Sequence, residues 1–179
     1  MLERRSVRDF LETPLLLAEA SQLLWAAQGR SGRAGYRTVP SAGALYPLEV
    51  FLAAGKVEGL APGVYRYGVE GHELLPAGAG DRRNDLCAAA LGQGVVRRAP
   101  AALVIAAVFQ RTTKKYGERG VRYVCMEAGN ASQNVSLEAV SLGLGTVIVG
   151  AFRDGEAKMA LGLELEEPLL ILPVGRPAD

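Results

Sequence analysis

The sequence has only one histidine, His72, and two cysteines, Cys87 and Cys125, and it contains no CxxC pair. A zinc site needs several clustered thiolate or imidazole ligands, so the sequence predicts no metal. A catalytic serine triad would depend on His72, which has no GxSxG motif near it. We interpret both cysteines as buried, unpaired thiols in apolar helices. They are typical of a reducing compartment and predict a cytoplasmic location.

Long apolar runs and an excess of one charge are also absent. No uncharged stretch approaches the roughly 18 residues of a membrane-spanning helix, and the first residues lack the apolar segment of a signal peptide. The net charge is +1, which predicts no general affinity for nucleic acid. No P-loop motif occurs, and the glycines at 92–94 and 143–145 lack the context of a dinucleotide motif.

The remaining pattern fits one domain over residues 1–179, with a hydrophobic fraction of 49% that suits a globular chain. Apolar periodicity predicts helices at 15–28, 81–93, 112–142 and 154–163. Runs rich in Val, Ile and Leu predict strands at 48–55, 64–67, 72–77, 99–109, 146–152 and 168–175. Because these elements do not alternate strictly, the expected fold class is α+β.

Several local signals refine this prediction. Thr13 and Pro14 resemble the cap and first residue of a helix, and Gly117 and Gly120 are expected to divide the long helical region. Small residues from 128 to 139 would let another helix approach closely, as at a subunit contact. Residues 29–44 are rich in glycine, serine and arginine and predict a long functional loop.

An arginine cluster near the N-terminus is the first candidate for binding chemistry. Arg4, Arg5 and Arg8 surround the hydroxyl of Ser6, and guanidinium groups bind phosphate through paired, charge-assisted hydrogen bonds. A solvated basic segment is the alternative interpretation. The residues alone leave both open.

Five motifs in series then resemble one known family, the nitroreductase superfamily, and within it the SagB-type branch that includes the thiazole/oxazole dehydrogenases. The motifs are RRSVRDF (4–10), PSAGALYPLE (40–49), KKYGERGVRY with EAGNASQNVSLEAVSLGLG (114–145), GAF (150–152) and LPVGRP (172–177). The resemblance covers nearly the whole chain in the correct order.

The resemblance implies an α+β fold with a central, mainly antiparallel sheet flanked by helices. It also implies an intertwined homodimer that holds FMN between its subunits, with a C-terminal segment that commonly crosses to the partner. The expected reaction is ping-pong: NAD(P)H reduces FMN, which then passes electrons to a small-molecule substrate.

Site residues follow from the resemblance by position. The stretch that would bind the phosphate and ribityl chain is Arg4, Arg5, Ser6 and Arg8. The loop that would reach the flavin of the other subunit contains Pro40, Ser41, Ala42, Gly43 and Leu45. The strand end that would lie against the flavin ring and offer a backbone N–H near N5 contains Ile148, Val149, Gly150 and Ala151. Further contacts are expected from Gln93 and Arg176.

The substrate stays open at this stage. Lys115 and Tyr116 match a pair that the azoline-oxidising branch uses in catalysis, where a buried lysine would act as a base; an ordinary solvated lysine is the alternative. The short chain favours a stand-alone reductase with a nitroaromatic or quinone-like acceptor. An azoline dehydrogenase, or a protein that binds or fragments flavin, is the other hypothesis.

Overall fold

A six-stranded antiparallel sheet forms the centre of the computed structural model, which describes residues 2–32 and 35–178. The short strands β1 (Arg30–Ser31) and β2 (Tyr36–Arg37) form a separate hairpin. The central strands are β3 (Leu48–Ala54), β4 (Gly63–Gly68), β5 (Glu73–Ala79), β6 (Ala101–Ala107), β7 (Gly145–Thr146) and β8 (Glu167–Gly175). Their spatial order is β5-β4-β3-β6-β8-β7.

Helices cover both faces of this sheet. They are α1 (Leu17–Gln28), α2 (Arg83–Ala89), α3 (Gly94–Arg98), α4 (Gln110–Tyr116), α5 (Arg119–Ser141) and α6 (Asp154–Leu161). One core packs α1 and α5 against a sheet face that includes Leu52 and Leu103, and the other packs α2 and α6 against Phe51 and Val104. The α+β class and the antiparallel sheet flanked by helices are therefore confirmed.

The strand register defines two ends of the sheet. Leu48 pairs with Ala107 at what we name the loop end, because the loop before β3 and the helix after β6 meet there. Ala54 pairs with Ala101 at the opposite, terminal end, where β7 also lies. Seven-residue strands separate the two ends by about 20 Å.

Helix α5 joins these two ends. Its 23 residues span about 34 Å, from α4 at the loop end to β7 at the terminal end. Gly117, with a φ of 57°, ends the helical conformation between α4 and α5, as predicted. Gly120 lies inside α5, and a Cβ there would be 3.0 Å from the Cα of Thr113, so glycine allows α4 to pack closely.

Two predicted helix boundaries were wrong. The first helix begins at Leu17, because Leu15 forms a bridge with Val57 and the carboxylate of Glu19 accepts a hydrogen bond from the N–H of Leu16. Thr13 and Pro14 therefore do not cap it. The region 81–93 contains only α2, and α3 follows separately. Leu91 and Gly92 adopt φ values of 57° and 74°, which end the helical conformation.

Two further predictions need correction. The strand predicted at 146–152 is reduced to β7 and one bridge between Val149 and Ile171, and β7 itself pairs with β8 at Gly145 and Thr146. Residues 29–44, expected to be a loop, contain the β1–β2 hairpin and a short 3₁₀ turn at Ala42–Ala44. In the described part of the chain, no helix is long and apolar enough to span a membrane.

Candidate active site

The N-terminal segment docks on the edge of the sheet at the terminal end. Ser6 forms a parallel bridge with Thr146, and the N–H of Val7 donates to the carbonyl of Thr146 at 3.0 Å. A Cβ on Gly145 would lie 2.6 Å from the side chain of Val7. Only glycine at this position therefore lets the segment approach β7.

A cavity of about 200 Å³ opens beside this segment, and its lining includes Arg5, Ser136 and Thr146. Of the four predicted residues of this segment, Arg5 lines the cavity, and Arg4, Ser6 and Arg8 are exposed next to it in the sequence. Guanidinium groups only donate hydrogen bonds, and a phosphomonoester only accepts them near neutral pH. Glu3 also lines the cavity, but the segment from residue 3 to residue 8 carries three arginines against this one carboxylate. The donor set fits the phosphate of FMN.

The predicted strand end leaves the sheet after one more bridge. Val149 is buried, and its N–H donates to the carbonyl of Ile171 at 2.8 Å. That N–H is therefore not available to a ligand. Gly150 and Ala151 are exposed, and Ile148 is 42% exposed. A backbone donor toward a flavin ring is thus expected from Gly150 or Ala151.

Gln93 lies beside this strand end, although the two are 58 residues apart in the sequence. Its side-chain amide donates to the carbonyl of Ala151 at 2.9 Å. The turn at Leu91 and Gly92 joins α2 to α3 and positions Gln93 directly before α3. The fold thus brings together two predicted site regions.

The loop from Pro40 to Leu45 is held in an uncommon conformation. Gly43, Ala44 and Tyr46 have φ values of 63°, 54° and 45°, a region that side chains disfavour. The hydroxyl of Ser41 accepts a hydrogen bond from the N–H of Tyr46 at 2.9 Å. Strained residues of this kind persist where surrounding contacts fix them, often at functional sites.

Glu127 on α5 is the main contact that fixes this loop. Its carboxylate accepts a hydrogen bond of 2.9 Å from the N–H of Ala42, and the residue is only 4% exposed. Burial raises the pKa of Glu127, while hydrogen bonds from Ala42 and Ser41 oppose this effect. The burial of Glu127 could not be predicted from the sequence, because nothing in its helical context reveals it.

Lys115 and Tyr116 lie directly against Gly43. A Cβ on Gly43 would be 2.7 Å from the Tyr116 hydroxyl and 3.0 Å from the Lys115 ammonium nitrogen. The ring of Tyr116 packs edge-on against Tyr123 at 5.2 Å, and Lys115 is exposed. Two regions predicted independently to be functional are therefore in contact.

Besides the strand end with Gln93, two groups of predicted residues lie at different ends of the molecule. The phosphate group (Arg4, Arg5, Ser6, Arg8) lies at the terminal end beside the last turns of α5. The loop group (Pro40 to Leu45, with Lys115 and Tyr116) lies at the loop end beside its first turns. Nine residues of α5 separate Glu127 from Ser136, which is about 14 Å.

Arg176 belongs to neither group in this structure. Its guanidinium donates to the carboxylate of Glu19 at 2.8 Å, and both side chains are largely covered. A phosphate contact from Arg176 would have to share this carboxylate or displace it. Its role at the cofactor stays a prediction.

Comparison with known proteins identifies relatives over the whole chain. The model of the nitroreductase family matches residues 1–176. The MJ1384 protein of Methanocaldococcus jannaschii, named as a nitroreductase, is 48% identical over the full chain and 90% of its own length. The microcin B17-processing protein McbC of Escherichia coli is 31% identical over 72% of this chain, but the match spans only 49% of McbC.

Solved structures agree with these relatives. A chain of the E. coli microcin synthetase complex McbBCD, with truncated pro-MccB17 bound, is 30% identical with a TM-score of 0.85, over 99% of this chain and 70% of that one. The NADPH:FMN oxidoreductase of Vibrio harveyi, complexed with NAD+, shares the fold at 20% identity and a TM-score of 0.69, over 98% and 66% of the two chains. This chain belongs to the nitroreductase family, in its SagB-type branch, and is an FMN-dependent oxidoreductase.

Proposed function

We propose that this protein transfers electrons from NAD(P)H through FMN to a small-molecule acceptor of the nitroaromatic or quinone type, in a ping-pong reaction. We further propose that it works as a homodimer with one flavin at each of two shared sites. The unpaired thiols of Cys87 and Cys125 support a reducing, cytoplasmic location for it.

The separation of the two groups of site residues carries this proposal. The phosphate group and the loop group lie at opposite ends of α5, so each would face a different part of one extended ligand or a different ligand. A second subunit that places its loop group over the first subunit's strand end would complete the site. The division of residues therefore favours a flavin shared between two subunits.

The outward face of α5 offers a surface for such a dimer. Cys125, Met126 and Gly129 are exposed along it, and a Cβ on Gly129 would meet no atom within 4 Å. The prediction of a buried thiol was therefore wrong for Cys125, although Cys87 is buried. Exposed apolar and small residues on one helix face suit close contact with another helix. The family resemblance supports the same arrangement.

FMN supplies the redox chemistry when it is bound, and the protein supplies anchoring and orientation. Arg4, Arg5 and Arg8 would neutralise the phosphate, and Ser6 would add a hydroxyl donor. The exposed backbone of Gly150 and Ala151 would lie against the ring, and Ile148 would help to exclude water. These roles require no movement of the sheet.

Anaerobic titration of the purified protein tests the proposal. We expect yellow protein whose flavin absorbance bleaches on addition of NADH or NADPH and recovers when a quinone is added. Protein that neither contains nor takes up FMN would contradict the proposal. Bound FMN that neither donor bleaches would instead favour a flavin-binding or flavin-fragmenting protein.

The contact of Gly43 with Lys115 and Tyr116 favours a second candidate, an azoline dehydrogenase. Lys115 would remove a proton from the substrate while a hydride leaves for the flavin, and Tyr116 would hold the lysine in place. The similarity to McbC supports this candidate. Lys115→Ala should then abolish azoline oxidation without weakening FMN binding, whereas Lys114→Ala, with an exposed neighbouring lysine, should retain activity.

A further inference from the structure

A second cavity, of about 400 Å³, lies at the loop end between the start of β3, the β4–β5 hairpin and α4. Its charged lining consists of Arg37, Arg66, Arg111, Glu49, Glu70 and Glu73. Apart from Glu49, which ends the motif PSAGALYPLE, none of these residues belongs to the motifs of the family resemblance or to the predicted flavin contacts. The three arginines come from separate elements, so the fold alone brings them together.

The charges in this cavity are unevenly paired. Glu49 forms an ion pair of 2.6 Å with Arg111, and Glu70 forms one of 2.6 Å with Arg30, outside the cavity lining. In residues 2–32 and 35–178, no carboxylate oxygen lies within 4.0 Å of the guanidinium of Arg37 or Arg66. In the same described residues Glu73 also has no ion pair, so two arginines and one carboxylate face the cavity unpaired and leave one excess positive charge.

Arg37 is held rigidly in this position. Its guanidinium donates to the side-chain oxygen of Gln28 at 2.8 Å, and Gln28 is only 2% exposed. The guanidinium also lies 4.6 Å from the centre of the Tyr46 ring, a favourable cation–π contact. Burial lowers the pKa of Arg37, since a half-buried charge loses hydration. A bound anion would offset this lost hydration of the Arg37 charge.

The cavity adjoins the loop group of the candidate active site through Tyr46. Its carbonyl accepts a hydrogen bond of 3.0 Å from Arg111, and its N–H donates to Ser41. A ligand group in the cavity would therefore be linked, through Arg111 and Tyr46, to the loop that carries Gly43.

We propose that the cavity between Arg37, Arg66 and Arg111 binds an anionic oxygen group, a carboxylate or a phosphate, of the molecule that reacts at the loop end. This inference rests on the proposed function only in assigning the group to a reactant. Arginine suits both groups, because its planar N–H groups match two oxygens at once. The source is either the electron donor, as in the 2′-phosphate of NADPH, or a carboxylated acceptor.

Calorimetric titration of the purified full chain with inorganic pyrophosphate tests the site directly. We expect Arg66→Gln to weaken pyrophosphate binding by about tenfold, as for loss of one exposed charge-assisted contact. Glu73→Gln should tighten binding by about twofold, because it removes a carboxylate that repels the anion. Arg82→Gln, which removes an exposed arginine directly before α2, should leave binding unchanged.

Equal pyrophosphate affinity in the wild type and Arg66→Gln would overturn the proposal. A loss of FMN affinity in Arg66→Gln as large as the loss of pyrophosphate affinity would also overturn it, since the cavity would then belong to the flavin phosphate. These measurements do not require turnover, so they stand even if the proposed reaction fails.

Competition identifies the source of the anion. Displacement of pyrophosphate by NADPH but not by NADH would assign the site to the donor. Displacement by 4-nitrobenzoate but not by nitrobenzene would assign it to the acceptor. If none of these compounds displaces pyrophosphate, the assignment to a reactant is wrong.

Discussion

The buried carboxylate of Glu127 accepts a hydrogen bond of 2.9 Å from the backbone N–H of Ala42. This contact joins the long helix α5 to the loop that presses Gly43 against Lys115 and Tyr116. One side chain thus fixes a strained loop at the point where two predicted functional regions meet.

Two replacements of Glu127 distinguish the contribution of its hydrogen bond from that of its charge. Glu127→Gln keeps an oxygen acceptor for Ala42, so we expect a folded protein with nearly normal FMN binding. Glu127→Ala leaves this partly buried N–H without a partner, and we expect the free energy of unfolding to fall by about 1–3 kcal/mol. Chemical denaturation of both variants measures the difference. Equal stability of the two would show that the hydrogen bond is unimportant.

The raised pKa of Glu127 also predicts how stability depends on pH. A carboxyl group with a folded pKa above its unfolded value stabilises the protein fully below the unfolded value, near 4.5. That contribution is lost as the pH rises through the folded pKa. The free energy of unfolding, measured from about pH 4 to about pH 8, should therefore fall more in the wild type than in Glu127→Gln. Parallel curves would contradict this prediction.

Gly43 should tolerate no side chain. In Gly43→Ala the new methyl group would meet the Tyr116 hydroxyl, and the residue would keep an unfavourable φ of 63°. We expect a lower kcat together with about 1 kcal/mol of lost stability. Gly59→Ala is the matched control, because Gly59 has a φ of 75° and open space around it. If both variants lose the same activity, the contact with Tyr116 is not responsible.

Arg8 should contribute to FMN retention. Arg8→Ala removes an exposed guanidinium beside Ser6, and we expect FMN to bind about tenfold more weakly with the dimer intact. Fluorescence titration of the apoprotein with FMN measures this. The control is Arg97→Ala, which removes the same charge from an exposed position on α3 and should leave FMN affinity unchanged. Unchanged FMN affinity in Arg8→Ala would remove Arg8 from the phosphate site.

A leucine at Gly129 should disrupt the proposed dimer. Gly129 and Gly155 both lie exposed in helices with open space around their Cβ positions, so each subunit should accept leucine without strain and gain helix propensity. Only Gly129 lies on the proposed subunit contact. Sedimentation equilibrium should therefore show dissociation of Gly129→Leu and a stable Gly155→Leu dimer. A stable Gly129→Leu dimer would place the contact elsewhere.

The central strands could be predicted from the sequence because burial on both faces requires continuous apolar residues. The runs at 48–55, 99–109 and 168–175 correspond to β3, β6 and β8 for this reason. Boundaries that depend on distant contacts could not be predicted. The start of α1 is set partly by the bridge between Leu15 and Val57, which no local pattern reveals.

The same distinction applies to the candidate site. The motif resemblance predicts the loop group and the phosphate group as site residues, and the fold places Gln93 beside Ala151. The sequence motifs could not identify Glu127 as a buried carboxylate, because glutamate side chains are usually exposed. The sequence motifs also could not group Arg37, Arg66 and Arg111, which meet only when the strands pair.

The docking of Ser6 and Val7 on β7 has a consequence for solubility. An uncovered sheet edge offers unpaired N–H and C=O groups to other chains and promotes aggregation. At the opposite edge, β5 carries Pro76, which removes one such donor. At β7 the protection comes from the N-terminal segment itself, and Gly145 permits it. The arginines proposed to anchor the cofactor thus lie on the strip of chain that shields this edge, so damage there would promote self-association as well as cofactor loss.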